Sequence, residues 1–204
     1  EALENYKALF IKIEKAGAVL GQEERIYFQF EKPWKIFMKW TSGRKKGLEV
    51  AYERGRHDNK LMIHKPGLLF GLAPVVYLAQ DSPWVREGSA SYNIEDAGIG
   101  TFLEDFTEAV KKSGRENKLK VEWPAENFLD VTFLDSSDDE IYFAYRVKVM
   151  FDAATDLPVK MELFDWENLP MGIYEYRDLE LNTGQDPAFK KQINGHLLKA
   201  YNSR

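Results

Sequence analysis

The sequence predicts an α+β fold, in which a large curved antiparallel sheet is covered by a helical lid. Three observations lead to this prediction. Apolar and polar residues alternate over most of the chain, which is the pattern of strands that bury one face. Glycine, proline and polar clusters separate the alternating runs, as turns do in a meander. One middle segment departs from the alternation, and a sheet of this size must be covered, closed or occupied.

Five strands are predicted in the first third of the chain. Gly17 and Gly21 bracket the first connection, and residues 54–59 form a turn before the fifth strand at residues 60–64. This order predicts a meander of neighbouring antiparallel strands. The alternating residues of the first four strands are Leu9, Ile11 and Ile13; Ile26, Phe28 and Phe30; Trp34, Ile36, Met38 and Trp40; and Leu48, Val50 and Tyr52.

The lid is predicted in residues 66–114. Its second part is a helix that starts at a capping box formed by Thr101 and Glu104 and stops at Gly114. The apolar face of this helix carries Phe102, Phe106, Ala109 and Val110. The first part of the lid is an apolar segment that contains Leu68, Leu69, Phe70, Leu72, Val75 and Val76.

Strands return after the helix, and the whole chain, residues 1–204, is predicted to be one domain. The tail, residues 183–204, contains a candidate short helix between residues 186 and 201. The longest predicted strand places Ile141, Phe143, Tyr145, Val147, Val149 and Phe151 on one face. The other strands contain Leu119, Val121 and Trp123; Leu129, Val131 and Phe133; Val159, Met161 and Leu163; and residues 172–181.

Composition argues against several classes of function. The 204 residues contain no cysteine, which excludes disulfides, thiolate zinc sites and a cysteine nucleophile. A formal net charge of −5 argues against nucleic acid as a partner. No serine lies in a nucleophile elbow, and no phosphate-binding glycine loop is present. We therefore expect no catalytic residues and no cofactor.

Two groups of polar residues have competing interpretations. His57 and His64 are too loosely spaced for a metal motif, so we expect a turn histidine, a strand-end histidine and no metal site. The basic positions either form a patch for transient contact with an anionic membrane surface or a solvated rim, and the rim is favoured. These positions are Arg44, Lys45, Lys46, Arg54, Arg56 and Lys60.

The apolar residues are the remaining candidates for function. Either they form an ordinary packed core, or they line a cavity between sheet and lid that suits acyl chains. Aromatic and methionine side chains are adaptable materials for such a wall. The candidate ligand-binding residues are Phe28, Phe30, Ile36, Met38, Trp40, Leu68, Leu69, Phe70, Leu72, Val76, Phe143 and Tyr145.

Four short stretches carry a resemblance to a known family. They are residues 6–12 (YKALFIK), 31–40 (EKPWKIFMKW), 58–61 (DNKL) and 156–160 (DLPVK). In this order, the sequence resembles the LolA/LolB lipoprotein-carrier superfamily over residues 3–182, and more closely an uncharacterised exported bacterial branch of it. The resemblance implies an incomplete β-barrel with a helical lid over a hydrophobic cavity. It also implies a periplasmic or cell-envelope location, no enzymatic activity, and a role as lipoprotein carrier or lipid sensor.

Three hypotheses of function follow. The first is a non-enzymatic envelope protein that binds a lipid, an acyl chain or an acylated protein. The second is a structural or protein-interaction domain with a filled core and no small ligand. The third, a hydrolase, has the least support because no nucleophile–base pair can be nominated. The chain begins at Glu1 rather than methionine, as expected if a leader such as a signal peptide is absent from it.

Overall fold

The computed structural model describes residues 3–65, 75–86, 93–135 and 142–183. These residues form twelve strands and two α-helices. The strands of the first half are β1 Asn5–Ala16, β2 Val19–Leu20, β3 Glu24–Glu31, β4 Lys35–Trp40, β5 Glu49–Glu53, β6 Leu61–His64 and β7 Val76–Leu78. The helices are α1 Pro83–Arg86 and α2 Ile99–Arg115, and the strands after them are β8 Leu119–Ala125, β9 Phe128–Phe133, β10 Arg146–Phe151, β11 Pro158–Phe164 and β12 Pro170–Leu181.

The strands form one sheet. Its hydrogen-bonded order is β7-β6-β5-β4-β3-β1-β12-β11-β10-β9-β8, and β2 pairs with β1. The neighbours within β3 to β7 and within β8 to β12 are antiparallel, as is the pair of β1 with β2. Within the described ranges the sheet ends at β7 and β8 and does not close on itself. This arrangement confirms the predicted class of a large antiparallel sheet with a helical piece.

The chain divides into two compact units. Among the described residues, the first contains residues 3–10, 24–65, 75–86, 93–95 and 178–183, and the second contains residues 11–23, 96–135 and 142–177. The first unit buries side chains from both faces of its strands, since Phe28 and Phe37 are both almost completely buried. The core of the second unit is formed by Ile99, Phe106, Val131, Phe133, Val147 and Val149.

Two elements differ from the sequence predictions. Helix α2 begins at Ile99 with Gly98 as its N-cap, without a side-chain cap, so the capping box at Thr101 is wrong. The helix also continues through Gly114 to Arg115. Of the long strand predicted over residues 141–151, the regular part begins at Arg146. Just before it the buried side chains are Tyr142 and Ala144, whereas alternation predicted Phe143 and Tyr145 on the buried face.

The beginning of β1 lies beside the end of β12. The side chain of Asn182 accepts hydrogen bonds from the backbone N–H groups of Glu4 and Asn5, at 2.9 and 3.3 Å. The backbone N–H of Asn182 donates to the carbonyl of Asn5 at 2.8 Å. Lys7 and Glu180 form an ion pair at 2.9 Å. The first and last described strands of the chain, β1 and β12, are therefore joined by both backbone and side-chain contacts. Among the described residues, no helix combines the length and the apolar character that crossing a membrane requires.

Candidate functional site

The candidate site begins with one face of the β3–β4 hairpin. Phe28 lies opposite Met38, Phe30 lies opposite Ile36, and Ile26 lies opposite Trp40. Residues directly opposite each other in an antiparallel pair project from the same face of the sheet. Five of the residues predicted to bind ligand therefore share one apolar face: Phe28, Phe30, Ile36, Met38 and Trp40. The face continues onto β5, since Ile36 lies opposite Tyr52 and Met38 opposite Val50.

A cluster of aromatic rings extends this face toward β1. The ring of Tyr6 stacks on Phe28, with centroids 5.6 Å apart, and lies 5.4 Å from Phe30. Phe30 contacts Trp34 edge to face at 5.7 Å. Burial decreases along the cluster, because Phe28 is 0% exposed whereas Phe30 and Trp34 are half-buried. The aromatic cluster therefore extends from the core of the first unit to its surface.

Charged groups border the surface end of the aromatic cluster. The Arg54 guanidinium lies over the Trp34 ring, 4.4 Å from its centroid, and Arg54 Nε donates to Glu95 Oε1 at 2.7 Å. The buried Tyr52 hydroxyl donates to the same oxygen at 2.9 Å. Burial raises the pKa of Tyr52, and the Glu95 carboxylate raises it further. Tyr52 therefore remains a neutral hydrogen-bond donor at physiological pH.

Trp40 is held in place by two polar contacts. Its Nε1 donates to Glu24 Oε2 at 2.8 Å, and the Lys45 ammonium lies over its ring, 5.7 Å from the centroid. Lys45 also pairs with Glu24 Oε1 at 2.6 Å. The indole is thus fixed with its polar edge toward the charged pair and its apolar body in the core.

The other predicted site residues lie elsewhere. Val76 belongs to β7 and lies opposite Ile63 of β6, so it is part of the sheet and not of a covering segment. Phe143 and Tyr145 belong to the second unit, are half-buried, and contact Phe102 and Trp166, respectively. Leu68, Leu69, Phe70 and Leu72 lie outside the described residues, as does the candidate tail helix.

The opposite face of β3 to β6 carries a buried group that the sequence analysis missed. Phe37, Ala51 and Met62 pack together there, with Tyr27 and Val75 beside them. Phe37 lies between Lys35 and Lys39 in the sequence and is 1% exposed. The signal in the sequence is an aromatic residue between two lysines, which indicates that neither face of β4 is fully solvated.

Polar side chains flank this second apolar cluster. Lys39, Glu49 and His64 occupy one row across β4, β5 and β6. Lys39 Nζ lies 2.8 Å from Glu49 Oε1, and His64 Nδ1 lies 3.4 Å from Glu49 Oε2. Glu49 and His64 are both buried, so His64 is a core residue of the sheet as well as a strand-end histidine. Among the described residues, no group of three or more side chains is suited to hold a metal ion.

The basic positions predicted as a patch or a rim are largely paired with carboxylates. Lys45 pairs with Glu24, Arg54 with Glu95, Arg56 with Glu53, and Lys60 with Asp58. Pairing of this kind neutralises the field that would attract an anionic surface. The observed geometry therefore favours the solvated rim.

A protein-family profile described as "Protein of unknown function (DUF1571)" matches residues 3–194, which is nearly the whole chain. A comparison with curated proteins finds no match.

Several solved structures are similar to this chain. A LolA superfamily protein from Nitrosomonas europaea is 10% identical, covers 93% of this chain and 91% of its own, and has a TM-score of 0.42. A chain of the MucA/MucB complex of Pseudomonas aeruginosa is 11% identical, covers 90% of this chain and 54% of its own, and has a TM-score of 0.43.

A structure of the CwlD amidase from Clostridioides difficile in complex with the GerS lipoprotein also matches. It is 18% identical, covers 86% of this chain and 85% of its own, and has a TM-score of 0.39. The structures similar to this chain thus include a member of the LolA superfamily, the group that the sequence resembles. At these TM-scores the similarities carry no information about ligand, partner or location.

Proposed function

We propose that this chain, which belongs to the DUF1571 family of proteins of unknown function, is a non-enzymatic cell-envelope protein that binds a lipid or acyl chain. The observation that supports the proposal is the aromatic cluster, which runs from fully buried Phe28 to half-buried Phe30 and Trp34. A continuous apolar path from core to surface is what an acyl chain needs to leave water. The envelope location rests on the LolA-like resemblance of the sequence.

The chemistry of the path suits an aliphatic ligand. Tyr6, Phe28, Phe30, Ile36 and Met38 supply apolar side chains along the path, and methionine and aromatic side chains adjust to irregular ligands at low cost. Among the described residues that border the path, the charged groups Arg54 and Glu95 are paired with each other. The described residues that border the path contain no nucleophile placed beside a base, which is why we propose binding without catalysis.

Binding of a fluorescent fatty-acid probe tests the proposal. Phe30→Asp places a carboxylate at the half-buried part of the path, and we expect it to weaken probe binding at least about tenfold. Tyr27→Asp is the matched control, because Tyr27 is also half-buried on β3 but projects from the opposite face. Absence of probe binding by the unmodified protein would remove the proposal, as would equal loss in both variants.

A second candidate function is a protein-interaction domain with a filled core. The observation in its favour is that Ile26, Phe28 and Ile36 are at most 1% exposed, as in an ordinary close-packed interior. Native mass spectrometry of protein purified from its own host separates the two candidates. Co-purified lipid or an attached acylated protein supports the binding function, whereas an unliganded mass together with no probe binding supports the filled core.

A further inference from the structure

The inference concerns strand β8, which lies at one end of the described sheet. Its neighbour on one side is β9, and residues 120–127 are all exposed. Val121 is 45% exposed and Trp123 is 60% exposed, although both are large apolar residues. An edge strand with exposed backbone groups and exposed apolar side chains is a template for pairing with another strand.

The backbone groups that face outward can be identified from the register. The carbonyl of Lys118 accepts a hydrogen bond from the N–H of Leu134 at 3.0 Å, so Lys118 is bonded toward β9. Along an antiparallel strand, residues alternate between bonding to one side and to the other. Lys120 and Glu122, opposite Thr132 and Asp130, therefore direct their N–H and C=O groups toward β9. Leu119 and Val121 direct theirs outward, and Trp123 follows them where the register shifts between Glu122 and Ala125.

The side chains of residues 119–123 are complementary to those of a second copy under a two-fold rotation. The sequence is Leu-Lys-Val-Glu-Trp, with Val121 at its centre. In an antiparallel pair of two such strands centred on Val121, Lys120 lies opposite Glu122 of the other copy, and Leu119 lies opposite Trp123. Cross-strand pairs of opposite charge and of apolar groups stabilise a sheet, and like charges directly opposite destabilise it.

We propose that β8 pairs with β8 of a second copy of this chain, antiparallel and centred on Val121. This register uses the outward backbone groups of Leu119 and Val121, and it places both Lys120–Glu122 pairs in contact. Centring the pair on Lys120 or Glu122 would set identical charges opposite each other. The contact is isologous, so it closes as a dimer.

The dimer is a weak one. Within each copy, Lys120 and Glu122 already form an ion pair at 2.8 Å, with side chains 60% and 51% exposed. An opposite-charge cross-strand pair stabilises a sheet only slightly. A single five-residue strand pair falls in the size class of transient interfaces. Dimerisation is therefore expected at high protein concentration.

Sedimentation velocity over a concentration series tests the pairing. Lys120→Glu and Glu122→Lys each set like charges opposite one another, and each is expected to weaken dimerisation at least about tenfold. The double exchange Lys120→Glu with Glu122→Lys restores opposite charges and is expected to restore the dimer. The two single variants, mixed together, are also complementary and are expected to form a heterodimer.

The second unit provides a matched control. Lys160 and Glu162 of β11 form the same type of ion pair at 2.7 Å, but β11 is bonded to strands on both sides. Lys160→Glu changes the net charge as Lys120→Glu does and leaves β8 intact, so dimerisation is expected to be unchanged. Val121→Pro removes an outward N–H without removing a bond to β9, and it is expected to abolish the dimer.

Circular dichroism and thermal melting confirm that each variant remains folded. The proposal is overturned by an unmodified protein that stays monomeric up to its solubility limit. It is equally overturned by a double exchange as weak as the single variants, or by Lys160→Glu weakening the dimer as much as Lys120→Glu.

Discussion

Asp130 and Arg146 form a bidentate ion pair between β9 and β10. Arg146 Nε donates to Asp130 Oδ1 at 2.8 Å, and Nη2 donates to Oδ2 at 2.5 Å. Asp130 is buried, and Arg146 is partly exposed. The hydrogen bonds from Arg146 lower the pKa of Asp130 below its usual value, and the positive charge of Arg146 adds to this effect.

The first prediction follows from this pair. Because the pKa of Asp130 is lower in the folded protein than in the unfolded chain, the pair contributes stability above the unfolded pKa of about 3.9. That contribution is lost as pH falls through the folded pKa. We expect Asp130→Asn to lower the free energy of unfolding at pH 7 by about 1–3 kcal/mol. Urea denaturation checks this, and a difference that did not shrink below pH 3 would contradict it.

The second prediction concerns a buried hydroxyl pair. Ser113 of α2 is completely buried, and its Oγ lies 3.0 Å from Oη of buried Tyr142. We expect Ser113→Ala and Tyr142→Phe each to destabilise the protein by about 1–2 kcal/mol, because each removes the hydrogen-bond partner of the other buried hydroxyl.

A double-mutant cycle isolates this pair. The double variant removes both hydroxyls, so its loss is expected to be smaller than the sum of the two single losses by roughly 1 kcal/mol. Additive losses would show that the hydroxyls do not interact.

At the residue scale, alternation predicted which apolar residues share a face, but it did not predict which polar residues are buried. Phe28, Phe30, Ile36, Met38 and Trp40 share a face because strand alternation fixes direction. The burial of Glu49 and His64 was missed. Alternation states which residues share a face, but it does not state whether another segment covers that face.

At the scale of elements, Gly172 has a specific role in β12. A Cβ at this position would lie 2.7 Å from Cε2 and Oη of Tyr174, because the tyrosine ring lies over the glycine. The Tyr174 hydroxyl then reaches Glu14 of β1, donating to Oε1 at 3.1 Å. Glycine here permits the close approach that lets the ring link the two strands.

The third prediction is that Gly172→Ala destabilises the protein by about 1–3 kcal/mol, since the ring must move or the strand must shift. Gly100 of α2 is the contrasting position, because nothing lies within 4 Å of a Cβ there. Gly100→Ala is expected to stabilise the protein by roughly 0.5–1 kcal/mol, owing to the better helix propensity of alanine. Thermal unfolding of both variants measures the difference, and shifts of the same sign would contradict the argument.

Element boundaries show where sequence patterns lose information. The helix was predicted from the period of Phe102, Phe106 and Ala109, and it is present, but its start was misplaced. Gly98 caps α2 with its backbone conformation alone, which no side-chain signature can reveal. The sequence also predicted that Phe143 and Tyr145 share the buried face of β10. The buried residues before Arg146 are instead Tyr142 and Ala144.

At the scale of the whole molecule, charge controls the behaviour of the protein in solution. The formal net charge is −5 at pH 7, and the sequence pI is about 5.4. Copies therefore repel one another at neutral pH and lose that repulsion near the pI.

The fourth prediction is a solubility minimum near pH 5.4, with tighter self-association as that pH is approached from 7. Light scattering across the pH range measures both effects. A profile that is flat between pH 7 and 5.4 would contradict the prediction.

The class of the fold could be predicted at this scale, because many alternating runs separated by turns permit few arrangements other than an antiparallel sheet. The order of strands could not. The neighbouring positions of β1 and β12 come from residues far apart in sequence, such as Asn5 and Asn182. Alternation carries no information about which distant strands meet.

That meeting of β1 and β12 also has a mechanical consequence. A force applied between Glu4 and Asn182 would act on the two strands at the same end of their pair, where Asn182 bonds to Glu4 and Asn5. The hydrogen bonds would then break one after another, in unzipping geometry, and would not be loaded together in shear. Pulled through handles at Glu4 and Thr183 in an optical trap, the sheet should therefore begin to open at low force, and Asn182→Ala should reduce the force of that first step.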